Sequence, residues 1–428
     1  MKNRRYWVSF ESFFKRLFDY LKKQQTDTLP LQSRYFPRID EEKNHRFELS
    51  NTIDFRQLLQ RNLQEIKEWK EYLDLSENVI LMSEYGEIWE DKDKFHFNFN
   101  YIPSVTDDLF QRFGKSFKYS NKIAAECYAL LENCIYLDEW RFLVKSPVYD
   151  LEIQQRQAKI TAGVYIKQID IDDLWLLVPS LTHHGSGVTA YSPFLRTMLV
   201  AEEKCKKGDQ SQIGAHTFRT FRDIVAALCV FKKHRFEIGP LFYQPKNFRS
   251  FMSSITAMYM PDEIHTYDDI RLITKNEILR FRAFLKKYES SIRRHRWLEL
   301  ASDRLLRLFY EMKVEDRIVD IMTILEILYL PESDMELKYK LSTRCAKILG
   351  RSKSGVKEIY GTIKLSYDIR SNVVHAGAIS PNNNKRLMKA GLSLNDLVRR
   401  LEEYVYRSFE ILIGNPEIRN RSEDIVIS

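Results

Sequence analysis

Cysteine is scarce in this chain and scattered. Its 428 residues include five, Cys127, Cys134, Cys205, Cys229 and Cys345, never in a C-x-x-C spacing. That pattern suggests neither a disulfide framework nor a zinc site, and reduced, mostly buried thiols are expected. No stretch approaches the roughly 18 consecutive apolar residues of a membrane span. The start, Met1-Lys-Asn-Arg-Arg-Tyr-Trp, leads into an amphipathic pattern rather than a signal-peptide core. A cytoplasmic protein with no membrane segment is therefore expected. With 14 glycines and 12 prolines, neither a collagen-like nor a disordered composition fits. Internal repeats and low-complexity tracts are missing too.

What is present describes a packed protein. Hydrophobic residues make up 44% and charged residues 29% of the chain, as in soluble globular proteins, and the length points to two domains, with three also compatible. Lys and Arg number 67 against 59 Asp and Glu, a net +8 that permits a polyanionic partner without demanding one. Aromatics reach 13%, with 23 Tyr and 26 Phe. Most belong in a core, and some can offer stacking surfaces to RNA bases.

The periodicity divides the chain. Residues 1–75 mix helical stretches with polar connectors: Phe10, Phe13, Phe14, Leu17, Phe18 and Leu21 recur at helical spacing, and a second helix is expected near Phe55–Leu73. The first apolar stripe is flanked by Arg5, Lys15, Arg16, Lys22 and Lys23. A membrane surface would suit it, but docking on the protein itself suits it better. From Asn78 the period shifts toward two, predicting strands near 78–89 and 94–102, then a helix near 117–137 and further strands near 140–144, 160–169 and 174–179. His183-His184-Gly185-Ser186-Gly187 reads as a turn, because adjacent histidines point apart and no third ligand has a recognisable spacing. Beyond Phe218 the pattern is helical: 218–231, a run from Tyr267 to Tyr288, then helices near 298–310, 316–330, 336–349, 355–375 and 393–413. The expected fold class is α+β, a mixed α/β part over 1–215 followed by an all-α helical domain over 216–428, with its core in 270–415.

One constellation suggests chemistry. Glu326 lies at the edge of the stripe formed by Ile318, Ile321, Met322, Leu325, Leu328 and Tyr329. Ile359, Ile363 and Tyr367 line a face running on to Arg370, and the helix is expected to stop after His375 at Gly377. Five positions separate Arg370 from His375, so on an ideal helix at ~100° per residue they point about 140° apart. To engage one phosphate, the helix must loosen near its end, or two copies must bring their motifs together. Histidine exchanges protons near neutral pH, and arginine offers forked donors matched to phosphate oxygens. Taken alone, the pair would read as a helix cap and dipole partner. The basic groups Arg293-Arg294-His295-Arg296, Lys385-Arg386 and Arg399-Arg400 could follow an RNA backbone or simply face water.

The blocks Asp320-Ile-Met-Thr-Ile-Leu-Glu-Ile-Leu-Tyr-Leu, Glu336-Leu-Lys-Tyr-Lys-Leu, Arg344-Cys-Ala-Lys-Ile-Leu-Gly and Tyr367-Asp-Ile-Arg-Ser-Asn-Val-Val-His-Ala-Gly resemble the Apea-like branch of the HEPN superfamily in order and spacing. The resemblance covers about 220–415 and is strongest in 316–377. It implies a helical bundle, commonly dimeric through this domain, that cleaves single-stranded RNA or tRNA without metal or other cofactor. Arg370 and His375 match the family's R-x4-6-H motif as the catalytic pair. Ser371, Asn372, Glu326 and Tyr367 are expected to support them, and Arg293, Arg294, Arg296, Lys385 and Arg386 to contact RNA. Many members carry Asn, Asp or His directly after the arginine, where this chain has Ser371 with Asn372 next. His375-Ala376-Gly377 stands where His-Gly is usual.

Family habit further implies an antiviral, abortive-infection effector whose 1–215 region senses a trigger such as a phage protein. Two other roles compete: a non-catalytic HEPN scaffold for RNA binding or dimerisation, and a toxin held by a separate antitoxin.

Overall fold

The computed structural model describes residues 2–23, 31–39, 45–53, 57–58, 66–81, 119–174, 196–206, 214–247, 270–308, 313–331 and 336–421. The fold is α+β with a helical C-terminal region. Two compact units make it up: 1–147, 162–217 and 240–260 form one, and 148–161, 218–239 and 261–428 form the other.

In the first unit, helix α1 (Arg4–Lys23) buries Tyr6, Phe10, Phe13, Phe14, Leu17, Phe18 and Leu21, the stripe expected from its spacing. The stripe packs against α2 (Lys67–Leu81) and α3 (Asn121–Tyr136) through stacked and edge-on rings, such as Phe13 on Tyr72 at 5.4 Å and Trp7 on Tyr128 at 5.1 Å. Such pairs add about 0.5–1.5 kcal/mol each beyond their area, so docking within the protein accounts for the whole stripe. Glu132 of α3 accepts the Asn3 backbone N–H at 2.7 Å and satisfies a donor next to the start of α1.

A hairpin of β1 (Leu31–Ile39) and β2 (His45–Ile53) occupies part of the stretch expected to be helical and polar. Helix α2 starts later than the helix expected near Phe55–Leu73 and runs through Leu81, over the first residues of the strand expected at 78–89. The remainder of that strand, the strand at 94–102 and the His183–Gly187 turn lie outside the described residues.

Five strands make the main sheet, in the order β5-β6-β7-β3-β8: β3 is Glu139–Val148, β5 Gln157–Thr161, β6 Val164–Gln168, β7 Thr197–Lys206 and β8 Phe242–Pro245. Buried and exposed residues alternate along β5 and β6, as one-sided burial requires. The turn between them holds Gly163 at φ 74°, a left-handed value that glycine adopts without penalty. Between β3 and β5, β4 (Leu151–Ile153) pairs in parallel with β9 (Arg271–Ile273).

The second unit is mainly helical: α4 (Ala215–Lys232, all but its first turn), α5 (Lys275–Arg294), α6 (Arg296–Leu308), α7 (Val314–Tyr329), α8 (Leu337–Leu349), α9 (Lys353–Ala376), α10 (Pro381–Lys389) and α11 (Leu394–Gly414). Helix α5 begins after Thr274, which forms a reciprocal capping box with Glu277. At the centre lies α7, packed by α6, α8, α9 and α11, with Ile318, Ile321, Met322, Ile324, Leu325 and Leu328 fully buried. Its last carbonyls are satisfied by arginines: Arg344 donates to Tyr329 at 2.7 Å, and Arg419 to Ile327 at 3.0 Å and Leu328 at 3.2 Å. Cations placed there also suit the helix dipole.

At the end of α8, Gly350 has an ordinary φ of −75°, so close approach rather than a left-handed turn calls for glycine. A Cβ would meet Val356 Cγ2 and the Ala346 carbonyl, each at 2.5 Å. Gly350→Ala is expected to cost about 1–3 kcal/mol by overpacking, read as a lower denaturation midpoint.

Asp223 on α4 supplies a pH-dependent term. Burial pushes its carboxyl up to about 6; Arg222 and Arg219 pull it down, whereas Asp303 of α6 and Glu289 of α5 push it further up. Between about pH 4 and pH 6 the native state holds a proton that the unfolded chain has released, so stability falls as pH rises through that window. Asp223→Asn is expected to stabilise the protein by about 1–2 kcal/mol at pH 7 and to lose that advantage below about pH 4, as measured by melting at each pH.

Candidate functional site

Helix α9 carries both residues of the motif. It opens at Ser352, whose hydroxyl accepts the Gly355 N–H at 3.2 Å, and closes at Gly377, where φ 69° and ψ 2° make a left-handed cap with the Gly377 N–H donating to Val373 at 2.9 Å. The helix is continuous through Arg370 and His375, so the loosening that would let them converge within one chain is absent. A regular helix sets them about 140° apart and about 7.5 Å along the axis.

Arg370 is on the side of α7. Its Nη2 lies 3.6 Å from Glu326 Oε2, an ion pair too long for a hydrogen bond, and its guanidinium carbon lies 5.8 Å from the Tyr367 ring centroid. Arg370 Nε and Glu326 Oε1 are buried with no hydrogen-bond partner among the described residues. Burial pushes the Glu326 carboxyl up, and Arg370 draws it partly back. Burial likewise raises the Tyr367 hydroxyl, helped by Glu326 and opposed by Arg370. The guanidinium is thus oriented by a carboxylate and a ring, with 27% of the side chain left exposed. An anionic oxygen is the acceptor best matched to it.

His375 belongs to a different face. Asp368, Asn372 and His375 recur at four- and three-residue steps along one side of α9, and His375 is exposed in the last turn. Asn372 Oδ1 accepts from Asn383 Nδ2 of α10 at 2.6 Å, so this amide braces α9 against α10. Half-buried Ser371 makes no side-chain hydrogen bond among the described residues.

The residues expected to contact RNA fall into two places. Arg293 and Arg294 end α5, exposed and without an ion pair among the described residues, and Arg296 at the start of α6 pairs with Glu299 at 2.5 Å. Lys385 is exposed on α10, whereas Arg386 is bound to Asp368 at 2.7 Å. Asp368 also binds Lys338 of α8, a residue that sequence reasoning passed over together with α10 itself. Ser380-Pro381, a capping residue followed by proline at the first helical position, was the available signal.

The four cysteines whose side chains are described are unbridged, and three of them are buried. Among the described residues, no three His, Cys, Asp or Glu side chains come together to hold a metal ion, and no helix is long and apolar enough to cross a membrane. No family model matches the chain, and no curated protein or solved structure matches it either.

Proposed function

We propose that the chain is a metal-independent endoribonuclease of the HEPN type that cuts single-stranded RNA or tRNA as an abortive-infection effector. The observation that carries this reading is the form of α9: an exposed imidazole in its last turn, and about one and a half turns earlier a partly exposed guanidinium held beside Glu326. These two groups supply what RNA cleavage needs. The ribose 2′-hydroxyl attacks the adjacent phosphorus, the bond to the 5′-oxygen breaks, and a cyclic phosphate and a free 5′-hydroxyl result. His375 moves the protons, and Arg370 stabilises the charge developing on the phosphate oxygens.

Because α9 stays helical to Ala376, the reading requires a homodimer in which the arginine of one copy meets the histidine of the other. Regulation by a trigger protein is assigned to the 1–215 region by family resemblance alone. One observation favours the alternative of a non-catalytic HEPN scaffold: Arg370 already faces a carboxylate. Incubating the intact protein with tRNA and total RNA in EDTA decides between them. Cleavage that disappears with either His375→Ala or Arg370→Ala supports the enzyme, and binding without cleavage supports the scaffold.

A further inference from the structure

On the same side of α9 as His375, about two turns earlier, two cations from different helices close on one carboxylate. Lys338 of α8 donates to Asp368 Oδ1, and Arg386 Nη1 of α10 donates to Asp368 Oδ2 at 2.7 Å. The same Nη1 reaches Asn383 Oδ1 at 3.0 Å. Asn383 is 4% exposed and is itself bonded to Asn372. Burial works against the charged form of Asp368, but hydrogen bonds from Lys338 and Arg386 outweigh it and hold the carboxyl below its usual range. The carboxylate is therefore ionised, and two cations against one anion leave a net charge of +1.

That charge is available. The Lys338 and Arg386 side chains are 36% and 38% exposed, and Arg386 Nε and Nη2 have no acceptor among the described residues. Lys385 adds a further exposed cation on the same helix. An exposed ion pair stabilises a fold by only about 0–1 kcal/mol, yet here the two long cations join Asp368, Asn372 and the buried amide of Asn383 in one network across three helices. Cations held in place at little further entropic cost are what recognition of an anion uses.

We infer that Lys338 and Arg386 form a phosphate subsite on the His375 face of α9, taking a backbone phosphate of single-stranded RNA that flanks the scissile one. Asp368 holds the two cations and partly neutralises them in the absence of RNA. The inference rests on the RNA reading above, and it is tested through binding rather than cleavage.

The full-length His375→Ala protein, which keeps the probe whole, is titrated with a labelled single-stranded oligouridylate of about 20 nucleotides at several salt concentrations between about 50 and 200 mM. Lys338→Gln with Arg386→Gln is expected to reduce the slope of log affinity against log salt by about 0.7, the value for one phosphate no longer neutralised on a single strand. Lys286→Ala with Lys287→Ala, two exposed cations on α5, is expected to leave that slope unchanged. Asp368→Asn, which keeps an acceptor oxygen for one of the two cations and removes the competing charge, is expected to tighten binding about threefold at low salt. Should the glutamine pair melt early, Asp368→Asn decides the matter alone.

An unchanged slope in a folded glutamine pair, an equal loss in the α5 pair, no tightening in Asp368→Asn, or a parent protein that does not bind RNA would each overturn the subsite. Cleavage by the His375-bearing protein is scored separately. If it fails while the slopes change as expected, the nuclease reading falls and the subsite stands.

Discussion

His375→Ala and Arg370→Ala are each expected to slow RNA cleavage about 10²–10⁴-fold, the usual contribution of a positioned proton-transfer or charge-stabilising group. The two should differ in stability. His375 is exposed, so its removal is expected to shift stability by no more than about 0.5 kcal/mol. Arg370→Ala strands Glu326 half-buried without its cation and is expected to cost about 1–3 kcal/mol at neutral pH. Mixing the two inactive proteins tests the arrangement directly. In a two-fold dimer with composite sites, half of the assemblies are mixed and each has one complete site, so about a quarter of the activity is expected to return. A mixture as inactive as its components, under conditions where subunits exchange, would count against sites shared between copies.

The largest expected loss of stability comes from Arg317→Ala. Arg317 of α7 meets Glu402 of α11 at 2.5 Å, with side chains only 17% and 14% exposed. Arg235 and Glu237 pair at 2.6 Å, almost fully buried, and interact with the same charges. Removing one member leaves a desolvated carboxylate unpaired, at a cost of about 3 kcal/mol. Among the described residues Arg317 Nε is already without a hydrogen-bond partner, which places the value at the low end of what such deletions cost. The check is a lower urea midpoint at unchanged slope. Replacing both partners by methionine is expected to recover most of the loss, since apolar packing substitutes well for a buried ion pair.

Helices of the C-terminal half were legible to within a few residues because each buries one stripe with a 3.6-residue period; α6, α7, α8, α9 and α11 all lie where the spacing of Leu, Ile and Val puts them. Short elements held by distant partners were not. β4 and β9 are three residues each and pair in parallel across 120 positions, a contact that no local period records. In β1, Pro37 interrupts an otherwise strand-like pattern. Helix α10 has only Leu387 and the amide of Asn383 buried, too little apolar repetition to reveal it. Arg370 and His375 were proposed from the sequence blocks around them, and their divergent faces followed from the helical period alone. The approach of Glu326 to Arg370 could not be read this way, because it depends on how α7 crosses α9. Lys338 and Arg386 looked like ordinary surface charges until folding brought Asp368 between them.

The left-handed cap at Gly377 keeps α9 a stiff rod to its end. Under the proposed reading, each chain alone therefore carries two half-sites that cannot meet. Dilution should then silence the protein, with turnover rising as the square of its concentration until pairing saturates. A cell could hold it harmless simply by keeping it scarce, and release it by crowding copies together.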